Sequence, residues 1–88
     1  EAVSLSVECA DQVEVDYFWD KLVADGGQES MCGWLKDKYG FSWQIVPKQL
    51  GVFMGDPDQE KVSRVIAAFM QMKKYDIAKL QAAYDGIS

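Results

Sequence analysis

Cys32-Gly33-Trp34-Leu35-Lys36-Asp37-Lys38-Tyr39-Gly40-Phe41-Ser42-Trp43-Gln44-Ile45-Val46-Pro47 reads as a β-hairpin. Asp37-Lys38-Tyr39-Gly40 is its tight turn, with Gly40 free to take a positive φ that a Cβ would oppose. Beyond the turn the residues alternate, so that Phe41, Trp43 and Ile45 share one face of a strand and Ser42, Gln44 and Val46 the other. Pro47 has no amide hydrogen for a ladder, so it ends this strand or places it at an edge. The stretch holds two of the three tryptophans. Packed on adjoining strands, an aromatic pair stabilises a sheet by about 0.2–1 kcal/mol. Aromatic walls with the single amide of Gln44 are equally the composition of a small-molecule pocket, which is mostly apolar with a few fixed polar groups. Packing and pocket are both open readings of this cluster.

Upstream, Ala2 to Glu8 alternates as a half-buried strand, with Val3, Leu5 and Val7 on one side and Ser4, Ser6 and Glu8 on the other. Asp11 stands three residues before Glu14 in a capping-box-like arrangement, and Val15, Phe18, Trp19, Leu22 and Val23 follow at helical spacing. The spacing predicts a helix from about Gln12 to Ala24, stopped by Gly26-Gly27, and then a strand within Gln28–Leu35.

Downstream, Leu50 to Met54 lies between Gly51 and Gly55 and reads as a fourth strand or as part of a loop. Asp56-Pro57 predicts a helix start with Asp as cap, followed by the apolar stripe Val62, Val65, Ile66, Phe69 and Met70. Asp58 and Glu60 complement the positive end of that helix, and Lys73 and Lys74 its negative end. A last helix begins at Asp76, buries Ile77, Leu80 and Tyr84, and closes at Gly86. The order of elements makes the fold α+β, with a mainly antiparallel sheet after the first crossover and two C-terminal helices. Residues 1–55 form the sheet module and residues 56–88 its helical extension, within one domain. A sheet of this kind covers one face with its own helix and presents the other to solvent, a ligand or a second sheet.

Composition narrows the chemistry. At 88 residues, 49% apolar and 26% charged, the chain is a single globular domain that buries only about 60–65% of its unfolded surface. Part of its core is therefore open to a partner. The net charge of −5 opposes nucleic acid and anionic membranes. That charge is concentrated in residues 1–47, with nine acids and three bases, against five acids and six bases in residues 48–88. No histidine is present. An imidazole base, a His-held metal and a Ser/His or Cys/His nucleophile are thereby excluded. Cys9 and Cys32 lack CxxC spacing and read as reduced thiols of a cytoplasmic protein. No apolar run approaches the length of a membrane span. The sequence opens on Glu1 instead of Met, so a preceding segment is expected.

Three further constellations have plain structural readings. Asp16 and Asp20, at i and i+4, suit acid–base work only in an apolar cleft and otherwise belong to a solvated helix face. Glu8 on its strand lacks the second and third ligands of a metal site. Cys32 has no neighbouring base to activate it apart from Lys36 or Lys38, and it reads as an inert thiol. No glycine-rich phosphate loop occurs, since Gly26-Gly27 follows a helix instead of preceding one.

The stretch CGWLKDKYGFSWQIVP (32–47) resembles the PhnB-like branch of the glyoxalase/bleomycin-resistance/dioxygenase (vicinal oxygen chelate) superfamily, whose members are also labelled demethylubiquinone methyltransferase-like. The likeness extends upstream through Val3–Cys9, Glu14–Asp16, Trp19–Leu22 and Gly26-Gly27. Downstream it takes in Met72–Leu80 and Ala83–Gly86. It implies a βαβββ module with a curved sheet, two copies of which form a U-shaped sheet around a cavity. This chain resembles the C-terminal copy alone, which implies an N-terminal half or a second chain, and members of the superfamily commonly dimerise. The superfamily's enzymes hold a divalent metal with His and Glu side chains. Here no histidine exists, and Leu50–Met54, taken as the last strand, has no glutamate. The resemblance and the uncovered face together imply a homodimer binding a small apolar or aromatic molecule, with no metal or other cofactor, no nucleic acid and no membrane. Trp34, Trp43 and Gln44 are the expected cavity wall, with Cys32 next to them. The rival expectation is a metal-dependent enzyme, or the methyltransferase of the label, whose ligands lie in the absent half.

Overall fold

A computed structural model describes residues 4–87 of the chain. Strand β1 (Ser4–Cys9) leads into helix α1 (Gln12–Val23), and β2 (Gln28–Glu29), β3 (Trp34–Lys36) and β4 (Ser42–Pro47) follow. The strands form one open sheet in the order β1-β4-β3-β2. Strands β2, β3 and β4 are an antiparallel meander, while β4 lies parallel to β1, as a crossover through α1 requires. The α+β class and the βαβββ order are those expected from the sequence.

Local chemistry accounts for most of the element boundaries. Asp11 accepts from the Glu14 amide at 2.9 Å, and the Glu14 carboxylate reaches back to the Ala10 amide at 2.7 Å. This is the reciprocal cap, displaced by one residue at its return arm. In the turn after β3, Asp37 Oδ1 accepts from the amides of Tyr39 and Phe41 at 2.9 and 3.0 Å, and Gly40 takes φ +88°. Gln28–Leu35 is two strands instead of one. The Ser30 amide donates to the Trp34 carbonyl at 2.9 Å, folding residues 30–34 into a tight connection between them.

Three helices follow the sheet, not two: α2 (Lys48–Met54), α3 (Gln59–Phe69) and α4 (Ile77–Asp85). The expectation of a strand or loop at Leu50–Met54 is thus corrected. Leu50 and Phe53, three residues apart, are buried, while Gly51, Val52 and Met54 are exposed. That is a helical period; a strand would put Leu50 and Phe53 on opposite faces. The third strand of the βββ run comes instead from the division of 28–35. Asp58, not Asp56, caps α3, accepting from Glu60 and Lys61 amides at 3.0 and 3.4 Å. Asp56 holds the preceding turn by accepting from the Asp58 amide at 2.8 Å, so Pro57 lies before the helix instead of inside it. Because α3 ends at Phe69, Lys73 and Lys74 fall in the linker to α4, beyond the reach of the helix dipole. Asp76 caps α4 and Gly86 closes it, as expected.

Two apolar clusters result. The first joins α1 to one face of the sheet: Cys9, Val15, Trp19, Leu35 and Ile45, flanked by Phe18, Leu22, Val23 and Trp43. The second lies among the helices, with Leu50, Phe53, Val65, Tyr75 and Leu80 packed on Val46 from the other face of β4. Backbone bonds tie the units together where the β2–β3 connection meets the α3–α4 linker: Cys32 and Gly33 amides donate to Met72 and Lys73 carbonyls at 2.7 and 2.8 Å. Gly33 is required there. A Cβ on it would stand 2.5 Å from the Tyr75 ring and 2.9 Å from the Ile45 carbonyl oxygen.

Candidate functional site

Strand register sorts the candidate residues onto two faces. Trp34 pairs with Gln44, and Gln44 with Ser6. Side chains directly opposite one another share a face, so indole, amide and hydroxyl form one row across β3, β4 and β1. The next row on that face runs Gln28, Lys36, Ser42 and Ser4. Trp34, Ser42 and Gln44 are half-buried, and Ser4, Ser6, Gln28 and Lys36 are exposed. On the other side of the Trp34 row, Val46 pairs with Glu8 and packs into the second cluster. The helical unit therefore walls one end of this face and leaves the remaining rows open.

Trp43 belongs to the opposite face. It pairs with Leu35 and Leu5, in the row that holds Glu29. Helix α1 covers this side: Trp19, 2% exposed, donates its indole N–H to Glu29 Oε2 at 2.7 Å. The Trp43 indole N–H is committed as well, donating to Asp37 Oδ2 at 2.9 Å. That bond, reinforced by the amides of Phe41, Tyr39 and Gly40 against a smaller desolvation effect, holds the Asp37 carboxyl below the usual carboxylate range. The structure thus brings Trp34 and Gln44 together and places Trp43 across the sheet from them, as a clamp on the hairpin turn. Cys32 is separate again. It sits at the tip of the β2–β3 connection at φ +58°, partly exposed, with its Sγ 4.0 Å from Met70 Sδ.

Of the other candidate carboxylates, Asp16 is structural in this geometry, and Glu8 and Asp20 are exposed. Asp16 receives Lys74 Nζ at 2.8 Å and Gln12 Nε2 at 3.0 Å, and those bonds lower its pKa, the lysine's contribution being the larger. It is a latch between α1 and the linker, not a bare solvated face. Gln12 completes the latch by donating to the Tyr75 carbonyl at 3.0 Å and accepting from the Ile77 amide at 2.8 Å. Neither Gln12 nor Lys74 stands out in the sequence as a joint residue, because their partners are remote in the chain. A cleft of about 440 Å³ opens beside the latch, bordered by Gln71 and Lys79 as well. Glu8 is exposed beside Val46, and no group of three His, Cys, Asp or Glu side chains that could hold a metal occurs among the described residues. No described helix is long and apolar enough to cross a membrane.

An open, mixed four-stranded sheet with its crossover helix on one face and helices beyond the last strand is a glyoxalase-like module. The family model for 3-demethylubiquinone-9 3-methyltransferase matches residues 1–46, more than half of the chain, and the chain belongs to that glyoxalase-type family. The matched segment ends one residue before β4 does, so it coincides with the sheet module, and α2, α3 and α4 lie beyond it. No curated protein matches the chain.

Proposed function

We propose that the chain is a binding module for a small apolar or aromatic molecule, which lies against the open sheet face with its plane on Trp34 and a polar substituent at the Gln44 amide. The observation that carries this reading is the row Trp34, Gln44 and Ser6 on the face opposite α1. An apolar wall with a few convergent polar groups is the usual constitution of such sites. The reading uses no divalent metal at the sheet, in keeping with the absence of histidine from the sequence and the apolar neighbour of Glu8. In this reading a second copy closes the open sheet face as a homodimer. Trp43 serves the site indirectly, by fixing the hairpin.

The test is a titration of 15N-labelled protein with 2,3-dimethoxy-5-methyl-1,4-benzoquinone, the head group that the family's name suggests as a probe. Saturable movement of the Trp34 indole N–H, lost in Gln44→Ala and retained in Trp43→Phe, is expected. Movement confined to Trp19 or Trp43, or none at all, sinks the assignment of this face. Sedimentation equilibrium separates the dimer question: a stable folded monomer at tens of micromolar removes the homodimer alone.

The family's name supports a second reading, methyl transfer to a demethylubiquinone. Saturable binding of S-adenosylmethionine in a calorimeter would favour it over simple ligand binding.

A further inference from the structure

We propose that the Tyr75 hydroxyl is a ligand-binding donor at the walled end of the open sheet face, where it meets an acceptor oxygen of the molecule that lies against Trp34. This rests on the reading of that face as a binding site and adds to it a second polar contact. The chain has three indoles and four phenols. Tyr17 and Tyr39 are 57% and 74% exposed and face solvent. Among the buried and half-buried rings, three donors are committed to carboxylates: Trp19 to Glu29, Trp43 to Asp37 and Tyr84 to Asp56. Trp34 and Tyr75 remain, and neither ring donates to another group among the described residues. Tyr75 is the sharper case, because it is only 2% exposed. A buried phenol ordinarily has a partner, since leaving its O–H without one costs the desolvation of the group.

Packing puts this phenol beside the Trp34 row. Its ring lies on Gly33, the residue before Trp34: a Cβ there would stand 2.5 Å from Cε2, the ring atom next to the carbon that carries the hydroxyl, and 3.0 Å from Cδ2. Val46 is two residues from Gln44 on the same face of β4, and it packs against the cluster that contains Tyr75. The row of Trp34 and Gln44 is thus the first open row beyond the wall to which Tyr75 belongs. The hydroxyl is also reachable. Gln49 Oε1 is the one side-chain atom among the described residues that is both fully enclosed and unpartnered, so the Tyr75 oxygen keeps an opening to the surface. Burial, and to a smaller extent the neighbouring Cys32, pushes this hydroxyl up to about 12, which keeps it a donor at neutral pH. With the Gln44 amide as the other contact, the class of ligand selected is a planar apolar ring that carries carbonyl oxygens on two edges.

The experiment compares two probes on the 88-residue chain and on Tyr75→Phe, which keeps the ring on Gly33 and removes only the hydroxyl. One probe is 2,3-dimethoxy-5-methyl-1,4-benzoquinone; the other, 3,4-dimethoxytoluene, has the same ring substituents without the carbonyls. Tyr75→Phe should weaken the quinone by about 3–10-fold, the loss of one neutral hydrogen bond, and leave the weaker binding of the toluene unchanged. In the unmutated chain labelled with 13Cζ-tyrosine, the Tyr75 resonance should move saturably with the quinone, over the same concentrations that move the Trp34 indole. This readout needs no variant and decides the question even if Tyr75→Phe does not fold. An unchanged quinone affinity in Tyr75→Phe, an equal loss for both probes, or a Tyr75 signal that stays still while Trp34 moves overturns the donor and leaves the binding face standing. Stillness of both signals removes donor and face together. A Tyr75 signal that moves without Trp34 upholds the donor and takes the ligand off Trp34.

Discussion

The hairpin places one tryptophan on each face of the sheet, and the two indoles have different surroundings. Trp43 faces the α1 side, where its N–H is taken by Asp37 and its ring joins the edge of the first apolar cluster. Trp34 faces away from α1, half-buried, in a row with an amide and a hydroxyl and with open rows beyond it. An indole whose polar atom and ring are both committed is part of the scaffold. One left beside polar groups on an open face is available to something else. The contrast teaches that residue type and proximity in sequence do not assign a role, since these two aromatics of one hairpin differ only in which way register turns them.

Four measurements test the difference between the two faces. Trp19→Ala strikes the covered face at its centre, where the side chain is 2% exposed and bonded to Glu29. Chemical denaturation should show a loss of about 3–5 kcal/mol, enough to unfold much of the population at 25 °C. Gly33→Ala attacks the joint between the units by driving a Cβ into the Tyr75 ring and the Ile45 carbonyl at a positive φ. A loss of about 1–3 kcal/mol is expected for overpacking of this kind, together with faster amide exchange in α4. Trp34→Ala, on the open face, should cost at most about 1 kcal/mol. A loss as large as that of Trp19→Ala would mean that Trp34 is core, and the distinction between the faces would collapse.

The smallest effect is a titration. Asp37 is held below the usual carboxylate range mainly by the Trp43 indole. A depressed folded pKa means that its stabilisation is complete above the unfolded value of about 3.9 and is lost as pH falls through the lower folded value. The Trp43 indole N–H resonance should therefore move with a midpoint below about 3.9, and the Trp34 resonance should not follow it. Asp37→Asn should abolish the transition. A Trp34 signal that tracked the same midpoint would couple the two faces that register separates.

Much of the scaffold was legible because it rests on short-range chemistry. Alternation in β1 and β4, the Asp11 and Asp76 caps, the turn at Asp37–Gly40 and the stop at Gly86 each depend on residues within a few positions of one another. Leu50-Gly51-Val52-Phe53-Met54 was not legible, because five mostly apolar residues satisfy either period until the helices bury Leu50 and Phe53 together. The cap at Asp58 was masked by Asp56, which offers the same carboxylate two residues earlier and is used for the turn instead. Of the expected wall, Trp34 and Gln44 form one row while Trp43 lies on the opposite face, and Cys32, expected next to them, lies at the tip of the β2–β3 connection. Alternation states which residues of one strand share a face. It is silent on which cross-strand partner each receives, and a slip of one residue reverses every face.

Composition and local spacing were enough for β1, α1, β4, α3 and α4, for the α+β class, for the absence of imidazole chemistry and for the presence of one helix for a sheet with two faces. That Trp34 and Gln44 share the open face, that Gln12 and Asp16 latch residues about 60 positions away and that Cys32 meets Met70 emerge only from the folded chain. Those pairings depend on strand register and on the docking of the helical unit against the sheet, which chain-local preferences do not encode.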